Sequence, residues 1–215
     1  EACCRGVEII MATTCPLGFN VDRLRELVRA EYDRVAREPN GTFHFHRGAE
    51  YAWRMLRYDA EELATLPVES TVSFAGVGNP HRIGPIEPGE TVLDVGCGAG
   101  TDLMLAARRA GPSGRAIGVD MTPAMLELAK RSALKAGLWA NVEVRRGVAE
   151  ELPVDTESVD VVISNGVLNL SPDKGTVFSE IQRVLRPGGR LYLADVVVQR
   201  EISVAARSDV ALWAA

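Results

Sequence analysis

From residue 91 onward the apolar positions follow two alternating patterns. Runs over 91–95, 116–119, 142–145, 159–164 and 190–198 read as strands, and the nearly continuous apolar Val92, Leu93 and Val95 of the first mark it as a central strand buried on both faces. Between them, 102–110, 123–136 and 172–185 carry helical spacing, the second opened by Thr122 as N-cap with Pro123 in the first turn. Pro187-Gly188-Gly189 is expected to stop the third helix before the last strand begins. Strand alternating with helix predicts an α/β fold with a parallel sheet covered on both faces.

Upstream the pattern is helical only. Asn20 is the N-cap of a helix running to about Arg37, with Leu24, Leu27, Val28 and Val35 on one face and Pro39-Asn40-Gly41 at its end. Residues 48–58 and 59–66 read as shorter helices, the latter opened by a D-x-x-E capping box at Asp59 and Glu62 and closed by Pro67. The expected organisation is a leader and helical cap over 1–66 and a main domain over 67–215, joined by a Gly- and Pro-rich loop at 68–90. After the fifth strand only a helix at 204–215 is expected. The strand is then an apolar edge that favours a homodimer.

The chain of 215 residues is 47% hydrophobic, enough for one substantial core. Its net charge of −5 and lack of a basic block argue against a nucleic-acid partner. No apolar run is long enough to span a bilayer, and the N-terminus lacks the features of a secretory signal, so no membrane contact and a cytoplasmic location are expected. Cys3, Cys4, Cys15 and Cys97 do not form a disulfide framework in a chain of this length. EACCRGVEII ahead of Met11 reads as an added leader. His44 and His46 share one side of an extended Phe43–His46 segment, but two ligands do not complete a metal site. No metal is expected, and the two imidazoles, with Tyr32, are candidates for the acceptor side.

The chemistry centres on Thr91-Val-Leu-Asp-Val-Gly-Cys-Gly-Ala-Gly-Thr101. Gly96, Gly98 and Gly100 permit a sharp turn whose backbone N–H groups are expected to approach a ligand, with the positive end of a helix facing the same spot. The dinucleotide fingerprint would need Gly or Ala where Thr101 stands. Asp94 just before the first glycine suits a ligand with an ammonium group and no pyrophosphate, and S-adenosylmethionine is such a ligand. Asp120, ending the second strand, lies near the offset at which an acid binds ribose hydroxyls, and the Met121 thioether suits the adenine face. Cys97 is expected to be a small filler of the turn. Ligands in open α/β sheets sit beyond the carboxyl ends of the strands, here Asp94, Asp120, Val148, Asn165 and Asp195. Asn165 and Asn169 fit either a ligand contact or the satisfaction of turn backbone.

From VLDVGCGAG through GVDMT and NVEVRRGVAEELP to RVLRPGGRLYLADV, the chain resembles the class I S-adenosylmethionine-dependent methyltransferases. SVDVVISNGVLNLSPDK and VFSEIQRVLRPGG are similar to arsenite methyltransferases within that class. The resemblance implies a Rossmann-like sheet, with the cofactor held by Asp94, Gly96, Cys97, Gly98, Gly100, Asp120, Met121 and Asn165. Where the class often has an aspartate near the adenine, this chain has Val148, which leaves the Ala149 N–H and apolar packing for that contact. Class I sheets normally finish with two further strands, which this sequence does not supply. Arsenite methyltransferases carry arsenic-binding cysteines where this chain has Val77 and Gly166, and their third cysteine falls after 209–213. The expected function is methyl transfer from S-adenosylmethionine, leaving S-adenosylhomocysteine, to a small molecule other than arsenite. Asn165 and Tyr32 are expected on the acceptor side, with His44, His46 or Asp195 as base. A non-catalytic, self-associating cofactor-binding module, arsenite methylation and a nicotinamide oxidoreductase stand as alternatives.

Overall fold

The computed structural model describes residues 20–197 together with 203, 205, 209 and 210. Five strands, β1 (Thr91–Val95), β2 (Arg115–Asp120), β3 (Val142–Arg146), β4 (Val159–Asn165) and β5 (Leu185–Ala194), form one parallel sheet in the order β3-β2-β1-β4-β5. β1 is central, with Val92 opposite Ala116 on one side and Val161 on the other. The chain steps outward from β1 through β2 to β3, then restarts on the other side at β4. That reversal opens a crevice at the carboxyl ends of β1 and β4.

Seven α-helices accompany the sheet among the described residues: α1 (Val21–Arg37), α2 (Gly48–Leu56), α3 (Ala60–Ala64), α4 (Val68–Val72), α5 (Thr101–Ala110), α6 (Pro123–Lys135) and α7 (Lys174–Val184). Leu93 and Val95 of β1 pack with Val177, Ile181 and Val184 of α7, whereas Val92 packs with Ala106 and Ala110 of α5. Side chains alternate along a strand, so Asp94 shares the α5 face with Val92. The sheet thereby tucks a carboxylate under the N-terminus of α5.

The helices before the sheet pack onto α5 and α6. Ala52, Tyr58, Leu63, Leu66 and Phe74 gather on Met104 and Leu105 of α5, and Val35 of α1 packs with Met125 and Leu128 of α6. The Asn20 side chain accepts from Arg23 N at 2.8 Å, the cap that the sequence predicts.

Three local expectations are corrected. The expected loop at 68–90 contains α4 and a 3-10 turn at Pro80–Arg82. α4 buries Ser70 and Thr71, the former 2.9 Å from the Thr101 hydroxyl, and exposes Val68, so it has no apolar stripe to betray it. The capping box is half made: Asp59 accepts from Glu61 N and Glu62 N, but the Glu62 carboxylate pairs with Arg109 at 2.9 Å instead of turning back. Pro187-Gly188-Gly189 does not separate helix from strand. β5 starts at Leu185 directly after α7, and the three residues bulge between the Val159–Leu185 and Val161–Arg190 pairs, with Gly188 at φ 81°. Cys3, Cys4, Cys15, Val198 and most of the helix expected at 204–215 lie outside the described residues.

The turn from β1 to α5 has Gly96 at φ 75° and Gly98 at φ 50°. A Cβ on Gly96 would stand 2.3 Å from Val167 Cγ2, whereas one on Gly98 would meet nothing within 4 Å. Gly96→Ala therefore combines left-handed strain of about 1–2 kcal/mol with overpacking of about 1–3 kcal/mol, and Gly98→Ala carries the strain alone. In urea titrations Gly96→Ala is expected to lose more stability than Gly98→Ala; equal losses would show that backbone conformation alone selects both glycines. Met104→Ala, which empties a fully buried site between α5 and the preceding helices, is expected to cost about 2–5 kcal/mol, with coincident fluorescence and circular-dichroism transitions.

Candidate functional site

The crevice is a cleft of ≈ 1110 Å³, mouth included. Its floor is the β1–α5 turn and its walls are the loops after β2, β3 and β4. Leu24, Val28 and Tyr32 of α1 lie over it. Of the residues assigned to a cofactor from sequence, Asp94, Gly96, Cys97, Gly98, Asp120, Met121, Val148, Ala149 and Asn165 all line this one cavity. Gly100 does not. It is the N-cap of α5, and a Cβ there would stand 3.2 Å from Ala129 of α6.

The turn is not the open cradle of amides that the sequence suggests. Gly96 N and Cys97 N both donate to Val119 O, at 2.7 and 3.0 Å, Gly98 N donates to Asp120 Oδ2 at 3.0 Å, and Gly100 N donates to Cys97 O at 2.9 Å. These four N–H groups are spent inside the protein. Binding a pyrophosphate would require such donors to be free.

Carboxylates dominate the cavity instead. Asp94 is 2% exposed, and its Oδ2 is buried without a hydrogen-bond partner. Burial, with Asp102 and Asp120 nearby, pushes its pKa well above the usual carboxylate range, against a hydrogen bond from the Leu103 backbone. Asp120 accepts from Gly98 N through Oδ2 and from Thr122 N, 2.8 Å away, through Oδ1. Burial raises its pKa, and those bonds oppose the rise. Burial and the same two acids also raise the Cys97 thiol, which is an inert filler as expected.

Asp102, absent from the sequence-derived site, is the third buried acid on the wall. Tyr58 donates its hydroxyl to Oδ1 at 2.7 Å and Asn165 Nδ2 donates to Oδ2 at 3.0 Å. Nε2 of the buried His81 ring is 3.2 Å from Oδ1. Burial alone would raise Asp102, yet His81, Asn165 and Tyr58 together hold its pKa below the usual range. An aspartate in the first turn of a helix reads from sequence as an ordinary partner of the helix dipole. The distant partners that bury it leave no local signal.

Asn165 serves the backbone rather than the expected acceptor contact. Its Oδ1 accepts from Val77 N at 2.8 Å and Gly78 N at 3.0 Å, while Nδ2, with two hydrogens to give, lies within hydrogen-bond distance of Gly78 O at 2.9 Å, Asp102 and the Tyr58 hydroxyl. The amide is saturated, and it fixes the 76–78 loop at the end of β4. Gly76 must be glycine there, because a Cβ would fall 2.3 Å from Asn165 Nδ2. Asp195 likewise caps the turn after β4, accepting from Leu168 N and Asn169 N, at 2.8 and 3.2 Å through Oδ2.

Tyr32 faces the cavity, its pKa pushed up to about 12 by burial and by Asp120, Glu31 and Asp195, so the phenol stays neutral. His44 and His46 do not line the cavity. Their segment bends, and the two imidazoles part: His44 meets the Phe45 ring edge-on and lies 3.8 Å from Glu31, and His46 stacks on Tyr51. At the mouth, Arg25 of α1 reaches Glu150 of the loop after β3 at 3.7 Å, and Glu150 accepts from the Ser171 hydroxyl at 2.7 Å.

Residues 86–214 match the family model of a methyltransferase domain. The chain is 50% identical over 142 residues to an arsenite methyltransferase of Halobacterium salinarum, covering 66% of this chain and 36% of that protein. It is 43% identical over 103 residues to a demethylmenaquinone methyltransferase of Lactococcus lactis, covering 48% of this chain and 40% of the relative. The crystal structure of an arsenic(III) S-adenosylmethionine methyltransferase from Chlamydomonas reinhardtii superposes with a TM-score of 0.64 at 41% identity, over 71% of this chain and 53% of the other. The chain thus spans well under half the length of these two curated relatives. No described helix is long and apolar enough to cross a membrane. With the sheet order, the carboxylate-lined crevice and these matches together, the chain belongs to the class I S-adenosylmethionine-dependent methyltransferases.

Proposed function

We propose that the chain binds S-adenosylmethionine in the crevice and promotes transfer of its methyl group to a small acceptor other than arsenite. The observation that carries the cofactor's orientation is the buried, unpartnered Oδ2 of Asp94, which calls for a cationic or hydrogen-donating partner. In this reading Asp94 receives the α-ammonium group, Asp120 the ribose hydroxyls, and Met121, Val148 and Ala149 enclose the adenine. The bound sulfonium supplies a methyl group that is already electrophilic. The protein's share is alignment and exclusion of water, for which Leu24, Val28 and Tyr32 of α1 stand over the cleft. The neutral Tyr32 phenol is a hydrogen-bond donor to the acceptor rather than a base.

The acceptor assignment rests on Val77 and Gly166. A Cβ on Gly166 would stand 3.2 Å from Val77 Cγ1, so the two positions face one another beside the Asn165 anchor. This pair offers no thiolate to a soft metalloid, and Cys97, the one cysteine among the described residues, is buried. Arsenite methylation is the second reading, favoured by the similarity to relatives that carry that name. β5, the outer strand of the described sheet, supports the added proposal that two copies pair along it.

Calorimetry is expected to show one S-adenosylhomocysteine bound per chain and no NAD. Asp94→Asn is expected to weaken binding by about 10–100-fold, the loss of a charged hydrogen bond of about 1.5–3 kcal/mol. Unchanged affinity would remove Asp94 from the ammonium site. In an acceptor screen, release of S-adenosylhomocysteine with arsenite would establish the second reading, and binding without turnover on any acceptor would leave a cofactor-binding module. A Val77→Cys, Gly166→Cys double variant is expected to gain arsenite binding, measured by competition with a dithiol. Light scattering at micromolar concentration is expected to give the mass of two chains, and a monomer counts against pairing through β5.

A further inference from the structure

Three acids converge beneath the N-terminus of α5, and they are not equivalent. The Asp102 oxygens receive the Tyr58 hydroxyl and the Asn165 amide. Those of Asp120 receive the Gly98 and Thr122 backbone N–H groups. Of the three, only Asp94 has a buried oxygen without a donor. An ionised carboxylate is held in a dry interior only when opposite charge or donors compensate it. The Leu103 backbone N–H bonds to Asp94, but the acid's Oδ2 has no donor, and the neighbouring side chains do not compensate it. They are Asp102 on α5, Asp120 ending β2, the Cys97 thiol in the turn and the Tyr58 phenol, while the Asn165 amide is saturated and His81 lies on the Asp102 side. Arg25, the cation on the wall, is engaged with Glu150 at the mouth.

We infer that in the cofactor-free protein the unpartnered oxygen of Asp94 carries a proton, and that the ammonium group of the incoming cofactor displaces it to solvent. Asp94–COOH then becomes Asp94–COO⁻ paired with –NH₃⁺, and one H⁺ is released, so charge and atoms balance. Burial raises both Asp94 and Asp120, Asp94 well above the usual range and Asp120 against the opposing backbone hydrogen bonds, while Asp102 is held below it. The inference rests on the reading that the amino-acid end of the cofactor lies at Asp94. The sign follows from linkage: below the empty-state pKa, binding must expel a proton, so affinity rises with pH, and above it the dependence vanishes.

The test is calorimetry of the intact chain with S-adenosylhomocysteine, in buffers of different ionisation enthalpy, from about pH 5 to about pH 8. The expected result is release of close to one proton per ligand at the acid end. Kd should fall about tenfold per pH unit there and then level off. The comparison ligand is 5′-methylthioadenosine, which has the nucleoside but not the amino-acid portion, and it is expected to bind without releasing a proton. Asp94→Asn is expected to bind S-adenosylhomocysteine weakly and with no proton release. Should that variant fail to fold, the two ligands on the unaltered chain decide the matter alone. S-adenosylhomocysteine binding with no proton release across the range would overturn the inference while leaving the cofactor reading intact. Equal release with 5′-methylthioadenosine would also overturn it, by moving the proton to the ribose end at Asp120. No binding of S-adenosylhomocysteine at any pH would overturn both.

Discussion

The structure depends on keeping three aspartates in one dry crevice without letting like charge push the elements apart. Each acid is managed by a different part of the fold. Asp102 is held by side chains from distant segments, Asp120 by two backbone amides of the adjacent turns, and Asp94 keeps one buried oxygen without a donor. Because burial strengthens every electrostatic interaction, each of the three acids needs its own compensation.

The same constraint explains the glycine turn. In a phosphate-binding loop the glycines expose N–H groups to an anion. Here Gly96 N, Cys97 N and Gly98 N are turned inward to Val119 O and Asp120. The glycines make the bend, and Gly96 also lets Val167 come within contact distance. A turn that spends these donors on the protein presents little to a pyrophosphate.

Much of this was legible in the sequence because its signals are local. The strand runs, the Asn20 cap and the placement of Asp94 and Asp120 at strand ends all follow from spacing within about twenty residues. What escaped was nonlocal or had no apolar stripe. α4 buries hydroxyls, so periodicity misses it. Asp102 carries no local signal, because Tyr58, His81 and Asn165 come from three other segments. The reading of His44 and His46 as a same-side pair assumed an extended Phe43–His46 segment, whereas the chain bends and sends each ring to a different neighbour. Asn165 lines the cavity, and its amide bonds to the 76–78 loop, which no local spacing links to it.

The way Asn165 grips the 76–78 loop has one more consequence. Its bonds to that loop run to main-chain atoms, Val77 N, Gly78 N and Gly78 O. The course of the loop is thus indifferent to the identity of side chain 77, which is 37% exposed. A fold anchored in this way behaves as a socket with an interchangeable bit: replacing the residue at 77 retools the rim facing Gly166 and leaves the machinery beneath undisturbed.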